Sequence, residues 1–230
     1  MIDLKTYLTE GFRLGKNKID REDYDFVDLD LPSGTLWATS NVGATCGSTV
    51  KSWYGDYFVW GDIEPATNKR CDWNSYKYCN SSFYKLTKYC PKNITKYWGG
   101  TGKPDNKLTL DEEDDMANAN MGGDWKIPTK EQLQELLDNT TSKWVRKYND
   151  IQKLNGRLFT SKTNGNTLFI PAAGFRDNSV HLNGSYVAIW SSLLETTDPT
   201  AAYSIGSSSS DLSIRHPYRH YGISVRAVMN

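Results

Sequence analysis

The residues able to do chemistry are few, and no motif gathers them. Of the three histidines, His181, His216 and His220, every one lies after residue 180, while Cys46, Cys71, Cys79 and Cys90 all lie before residue 91. A cysteine nucleophile and its base must meet in space, not in sequence, so the separation alone excludes nothing, but no local signature supports such a pair. The cysteines show no CxxC and no other zinc spacing. Reduced, buried thiols are the reading that fits, with a Cys71–Cys79 or Cys79–Cys90 bridge as the alternative. Gly99–Lys103 reads GGTGK, but the first glycine of a phosphate loop would fall on Tyr97, and Pro104 stands where Ser or Thr must hold magnesium. Two SxxK matches, Ser48–Lys51 and Ser82–Lys85, are what chance pairing of 20 serines with 18 lysines yields. There is no HExxH, GxSxG or EF-hand loop. The sequence therefore assigns no catalytic residue, no metal and no cofactor, and reads as a binding protein rather than an enzyme.

Composition narrows the class further. Lys+Arg and Asp+Glu balance at 27 each, which excludes a nucleic-acid binder acting through bulk positive charge and an acidic disordered chain. Mean hydropathy is −0.62 and no apolar run approaches 18 residues, so no membrane span is expected. The 8 Trp, 14 Tyr and 7 Phe predict a core built more from rings than from aliphatic chains. The N-terminus, MIDLKTYLTEGFRLGKNKID, lacks the apolar stretch and cleavage site of a signal peptide, which points to synthesis without export through that route.

The elements that must position any binding residue follow from periodicity and turn signals. Residues 1–23 read as a short amphipathic segment (Tyr7, Leu8 and Phe12 near helical spacing) and a polar linker; the segment reads as a terminal helix, frayed or packed back on the domain, with residues 1–18 as a docking peptide for a partner or for self-association as the alternative. Residues 24–230 read as one folded unit. Residues 24–61 show short apolar runs broken by Gly and Pro, suited to short strands. Residues 62–107 have no period and read as irregular chain pinned by Trp73, Trp98 and tyrosines. Thr109-Leu-Asp-Glu112 has the form of a capping box that would start a helix near 110–121, with the acidic run 111–115 in its first turn and Gly122-Gly123 at its end. Pro128-Thr129-Lys-Glu-Gln132 is a second box, opening a helix near 129–138 with Leu133, Leu136 and Leu137 on one face. After residue 157 strands dominate. Two helices between strand-rich halves indicate an α+β domain.

One compositional break is sharper. All 18 lysines and every glutamine fall at or before Lys162. The remaining segment is rich in Ser, Tyr, Asn, Gly and His, the types that build paratopes from rigid amphipathic rings and small hydrogen-bonding groups.

The ordered motifs LPSGTLWATSNVGA (31–44), YGDYFVWGD (54–62), GGDWKIPTKEQLQELL (122–137), FTS (159–161), LFIPAAGFR (168–176), IWSS (189–192) and GISVRAV (222–228) give the chain a resemblance to one family. It resembles the C-type-lectin-fold proteins of gut bacteria and their phages, including the variable proteins of diversity-generating retroelements and their relative, the phage major tropism determinant. The resemblance spans residues 24–228. It implies a C-type lectin fold, two helices packed on a small twisted antiparallel sheet with long loops. In diversified members a reverse transcriptase rewrites adenines in the C-terminal coding segment. Asparagine-type codons treated this way yield Tyr, Ser, Asn, Asp, His, Gly and others, but not Lys, Gln, Glu, Met or Trp. Between residues 163 and 228 only Trp190 and Glu195 are of the excluded types. The family's oxidase branch uses a C-terminal cysteine pair that this chain lacks, and the lectin calcium motif is absent.

The resemblance implies a hypervariable ligand-binding face on Asn178, His181, Tyr186, Ala188, Ile189, Tyr203, Ser207, His216, Tyr218, His220 and Tyr221. Tyr203, Ile205 and Ser207 would share one face of a strand. These side chains are expected to be exposed and clustered. Trp37, Trp60, Trp125, Trp190, Pro128 and Pro171 are expected to pack the core, and Arg176 and Arg226 to serve as buried hydrogen-bonding hubs. The implied function is binding to an unidentified protein or cell-surface ligand as a phage or prophage receptor-binding component, possible association with a virion included. The alternative is a non-diversified surface or structural protein of the same fold.

Overall fold

The computed structural model describes residues 24–66 and 70–230. The amphipathic segment and linker expected over residues 1–23 lie outside the described residues. What is described is α+β with more strand than helix. The elements run β1 (Phe26–Asp28), β2 (Leu36–Ala38), a single helical turn α1 (Lys51–Tyr54), β3 (Phe58–Val59), α2 (Met116–Met121) and α3 (Lys130–Asn139). There follow β4 (Thr140–Val145), β5 (Gly156–Ser161), β6 (Thr167–Pro171), β7 (Phe175–Arg176), β8 (Val180–His181), β9 (Val187–Leu194), β10 (Ala202–Ser207), β11 (Leu212–Arg215), β12 (Gly222–Ile223) and β13 (Val228–Met229). They form four sheets, ordered β1-β2-β13, β4-β5-β6, β11-β10-β9 and β3-β12-β7-β8. Trp37 on β2 pairs with Val228 on β13, so the two ends of the described chain close on each other. Residues 70–107 are irregular apart from a 3₁₀ turn at Thr95–Tyr97.

The two helix starts have different outcomes. At α3 the expected box is made: Thr129 Oγ1 accepts from Gln132 N (3.1 Å) and Gln132 Oε1 from Thr129 N (2.9 Å). At α2 it is not. Thr109 bridges to Leu193 beside β9, and Asp111 N donates to the Tyr89 hydroxyl. The acidic run forms a 3₁₀ turn at Glu112–Asp114, and Asp115 is the true N-cap, accepting from Ala117 N (2.9 Å), Asn118 N (3.0 Å) and Ile127 N (3.1 Å). The helix expected over 110–121 is therefore confined to 116–121, because tertiary partners claim the groups that would have capped it earlier. Gly122, at φ 72°, ends it as expected.

Packing explains why β9 is the axis of the molecule. Val187 and Ile189 point into a cluster with Leu133 and Leu136 of α3, Phe159, Ile170 and Ile205. Ala188 and Trp190 point the other way, into a ring-rich cluster with Phe58, Trp60, Tyr76, Tyr89 and Trp125. The indoles are locked by hydrogen bonds, Trp60 Nε1 to Ser191 O and Trp190 Nε1 to Phe58 O, both 2.8 Å. Trp37, Trp60, Trp125 and Trp190 are all buried, as the sequence implied. Arg226, also buried, donates to Asn41 Oδ1 (3.0 Å), Ala38 O (3.0 Å) and Phe169 O (3.1 Å), tying three segments together. Burial works against its charge, and these acceptors offset that cost. Arg176 is only half-buried, so it is not a buried hub of the same kind. The residue that fills that role is Arg219, fully buried between the rings of Trp60 and Tyr76 and donating to Tyr89 O at 2.9 Å.

Candidate ligand-binding face

The layer β11-β10-β9 has two faces, and they differ in side-chain size. Toward α3 it carries the branched residues Val187, Ile189, Ile205, Leu212 and Ile214. On the opposite face Ala188 lies opposite Gly206 across the β9–β10 ladder, and Gly206 opposite Ser213 across the β10–β11 ladder; Ser204 follows two residues before Gly206. These small residues leave a hollow. Rings and apolar side chains from other elements wall it: Phe175 from β7, Tyr221 and Ile223 at β12, and Tyr186, Leu182 and Pro217 from loops. The cleft has a volume of about 490 Å³, within the usual range for ligand pockets. Gly206 is required here. A Cβ at that position would come 2.2 Å from the Tyr186 hydroxyl and 2.6 Å from Arg215 Cγ, so only glycine lets the two side chains cross the strand.

The cleft opens into a band of rings. His181 stacks on Phe175 (5.4 Å), Phe175 meets Tyr221 (5.3 Å), and Tyr221 meets His220 (4.5 Å) and Tyr218 (6.0 Å). Trp73 continues the band, 4.7 Å from His220 and 6.2 Å from Tyr218, and Phe83 lies 6.1 Å beyond it. Such edge-on and offset arrangements are what aromatic quadrupoles favour.

The expected site residues divide between this face and the interior. Asn178 is exposed in the β7–β8 turn, His216 is exposed on the cleft rim, and Tyr218 is 48% exposed. His181, Tyr186 and Tyr221 are half-buried on the same face. Four residues expected to be exposed are not. Ala188 is 3% exposed because it lies on the sheet floor beneath the cleft, so it lines the site without standing on the surface. Ile189 is fully buried in the cluster under α3. Ser207 is fully buried because Arg157 Nε donates to its Oγ (2.9 Å) while that Oγ donates to Asp211 O (2.9 Å). His220 is buried among Trp73, Tyr218 and Tyr221. Tyr203 is half-buried but faces α3, with Lys130 Nζ 4.0 Å from its ring centroid and its hydroxyl 3.3 Å from Glu195 Oε1. The parity argument for Tyr203, Ile205 and Ser207 is correct, but the face they share is the inner one. The cleft lies on the other parity, with Ser204 and Gly206.

Sequence reasoning did not single out Ser204 or Gly206, although the same alternation would have found them once the inner face was known. Trp73 carried no positional signal, because it comes from irregular chain. Arg215 was missed as well; it sits on the rim, paired with Asp211.

Two groupings have the residue types of a reactive site. His181 Nε2 lies 2.8 Å from Asp177 Oδ1 and 3.1 Å from Ser179 Oγ. Both contacts use the same ring nitrogen, whereas a relay needs the acid on one nitrogen and the hydroxyl on the other. The trio therefore orders the β7–β8 turn. Carboxylate oxygens of Asp111, Glu113 and Asp114 lie within 4.8 Å of one another, close enough to hold a cation. Lys88 Nζ already occupies that position, 2.6 Å from Asp111, 3.0 Å from Glu113 and 2.6 Å from Asp114. Burial would raise the Asp114 pKa, but hydrogen bonds from Lys88, Tyr78, Tyr89 and Lys77 outweigh it and hold the carboxyl at about 2. Burial holds the His220 imidazole low, at about 4, so it is neutral at pH 7.

No family model, curated protein or solved structure matches the chain. No helix among the described residues is long and apolar enough to cross a membrane.

Proposed function

We propose that the chain is a ligand-binding module with a C-type-lectin-like fold, whose C-terminal third is a face diversified by a retroelement, and that it serves as a receptor-binding component of a phage or prophage-derived particle. The observation that carries this reading is the sorting of residue types within one segment. His181, Tyr186, His216, Tyr218 and Tyr221, all reachable by adenine rewriting, stand together around one cleft, and Asn178 is exposed in the β7–β8 turn. The two residues that such rewriting does not produce, Trp190 and Glu195, are buried. Glu195 accepts from Thr197 N (3.1 Å) and Asp198 N (2.5 Å), fixing the turn after β9, which is work for a constant position.

The test is sequencing of the locus across related isolates. The proposal expects a reverse-transcriptase gene, a near-copy of the C-terminal coding segment, and substitutions concentrated at the six rim positions. Ala188, Ile189 and Ser207 should stay constant, because burial makes change there costly. Uniform variation, or no near-copy, would support the non-diversified alternative, a surface or structural protein of the same fold. The burial of four expected contact residues is the observation that keeps that alternative in view.

A further inference from the structure

Residues 73–104 contain six lysines and neither Asp nor Glu, although acids make up 27 of the 230 residues. Acids from elsewhere in the chain answer only part of that charge. Lys77 pairs with Asp114, and Lys88 with Asp111, Glu113 and Asp114. Lys85, Lys92, Lys96 and Lys103 are exposed and make no ion pair among the described residues.

The same stretch carries the most exposed ring among the described residues, Tyr84, at 55%. Tyr84 belongs to a platform. It lies nearly parallel to Tyr97 (5.6 Å, 12°) and against Phe83 (4.0 Å). Lys96 Nζ stands 4.6 Å from the centroid of Tyr97, and Lys85 follows Tyr84 in the chain. Two backbone arms hold the platform. Leu86 N donates to Tyr97 O (2.7 Å) and Gly99 N to Leu86 O (2.8 Å), with Leu86 itself fully buried beneath. A Cβ at Gly99 would come 2.4 Å from Lys85 Cα, so glycine lets the arms close. Rings and cations are thereby set in a fixed relation before anything binds. Phe83 also lies 6.1 Å from Trp73, so the platform continues the ring band of the candidate face.

Exposed rings beside unpaired cations select a ligand with two properties. The face of a tyrosine ring is slightly negative and attracts the slightly positive C–H hydrogens of a pyranose. An ammonium attracts a carboxylate. A chain of uronic sugars offers both on every residue. Single-stranded nucleic acid also combines flat rings with anions, but its bases need separate open rings and its phosphates suit the arginine fork. Here the three rings close on one another, and residues 73–104 contain no arginine. A balanced net charge also removes the long-range pull that polynucleotide binders use.

We propose that the Tyr84–Tyr97 platform, with Lys85 and Lys96, binds an acidic polysaccharide, the rings stacking on sugar faces and the lysines pairing with uronate carboxylates. This second contact surface lies outside the C-terminal segment and does not depend on its diversification.

The full chain is titrated with hexamers of mannuronate and of galacturonate, with the mannose and galactose hexamers that lack their carboxylates, and with a thymidine dodecamer. Binding is followed by calorimetry and amide chemical shifts. The proposal expects a uronate hexamer to shift Tyr84, Lys85, Lys96 and Tyr97, and to bind about tenfold more tightly than its neutral counterpart. Raising the salt from about 0.02 M to about 0.5 M should erase most of that difference, because the carboxylates are screened. Tyr84→Ala should weaken uronate binding about fivefold or more while melting as the parent does, since the ring is on the surface. Lys85→Gln together with Lys96→Gln should remove the preference for uronates over neutral sugars. No uronate binding, equal binding of acidic and neutral hexamers, or shifts confined to other surfaces overturns the proposal. So does a Tyr84→Ala protein that binds uronates unchanged. Tighter binding of the thymidine dodecamer also overturns it and makes the platform a single-strand nucleic-acid surface. A diversified locus with no uronate binding rejects the platform alone, and uronate binding at a locus with no retroelement rejects diversification alone.

Discussion

His220 and Asp114 make the clearest single-residue predictions, because each has a protonation state fixed by its surroundings. For His220 the folded value is about 4, lowered by burial against small opposing effects of Asp72 and Asp177, and the unfolded value is near 6.5. The unfolded chain then binds more protons below pH 6.5, so stability falls as pH drops from 6.5 to 4, by about 3 kcal/mol in total. Asp114 adds a later loss of about 2 kcal/mol between its unfolded value near 3.8 and its folded value of about 2. Urea melts at pH 7, 5.5, 4.5, 3.5, 2.5 and 2 should show both windows. His220→Phe should flatten the upper one and leave stability at pH 7 equal or higher, since the His220 Nδ1 is buried without a partner. An unchanged slope in that variant would assign the acid loss elsewhere. On the surface, Tyr218→Ala should cost less than about 1 kcal/mol of stability, and about 2 kcal/mol of binding to a cognate ligand if the ring is a hot spot.

At the level of elements, the caps separate local signal from tertiary claim. Thr129→Ala should cost about 1 kcal/mol, as loss of an N-cap does. Asp115→Ala should cost more, about 2–3 kcal/mol, because its carboxylate also holds Ile127 N across the loop to α3. Thr109→Ala should be nearly neutral, since Thr109 caps nothing and meets β9 only through its backbone bridge. Thermal melts of the three variants would show the order, and a Thr109 variant as weak as the Asp115 variant would mean that the first capping box forms after all. The same level holds the lesson of β10. Alternation says which side chains share a face, but whether that face looks inward depends on where α3 packs.

For the molecule as a whole, stability should depend on the arginines that join distant segments. Arg226 links residues 38 and 41 to residue 169 from near the end of the chain. Arg226→Met should cost about 3–5 kcal/mol, because three buried acceptors lose a charged donor. A denaturant melt shifted by less than 1 kcal/mol would show those acceptors satisfied by other means. If residues 1–18 dock onto a partner, as proposed, their removal should leave the melting temperature of the rest little changed while abolishing particle incorporation or self-association. A large fall in melting temperature would place that segment in the core instead.

By itself the sequence determined the α+β class, helix α3 and its capping box, the C-cap at Gly122 and the irregular stretch before residue 108, and its motifs marked the four buried tryptophans. The helix, cap and irregular stretch are written in neighbouring residues; the four tryptophans are set apart from Trp53, Trp73, Trp98 and Trp144, which are half-buried, by their places in the motifs and not by size. The resemblance marked eleven positions as one exposed face; of these His181, Tyr218 and Tyr221 stand in the band of rings, while Ala188, Ile189, Ser207 and His220 are buried. Only the tertiary structure decided which parity of β10 faces the cleft, that Ser207 is held by Arg157, that His220 is enclosed by Trp73, and that Lys88 fills the acidic pocket. Those outcomes depend on partners 23 or more residues away in the chain, or on which of two sheet faces a helix covers. In all but the Lys88 contact, the sequence motif fixes the residue and leaves its burial open; a strand's side chains alternate whatever lies above and below it, and only packing gives one side to the core.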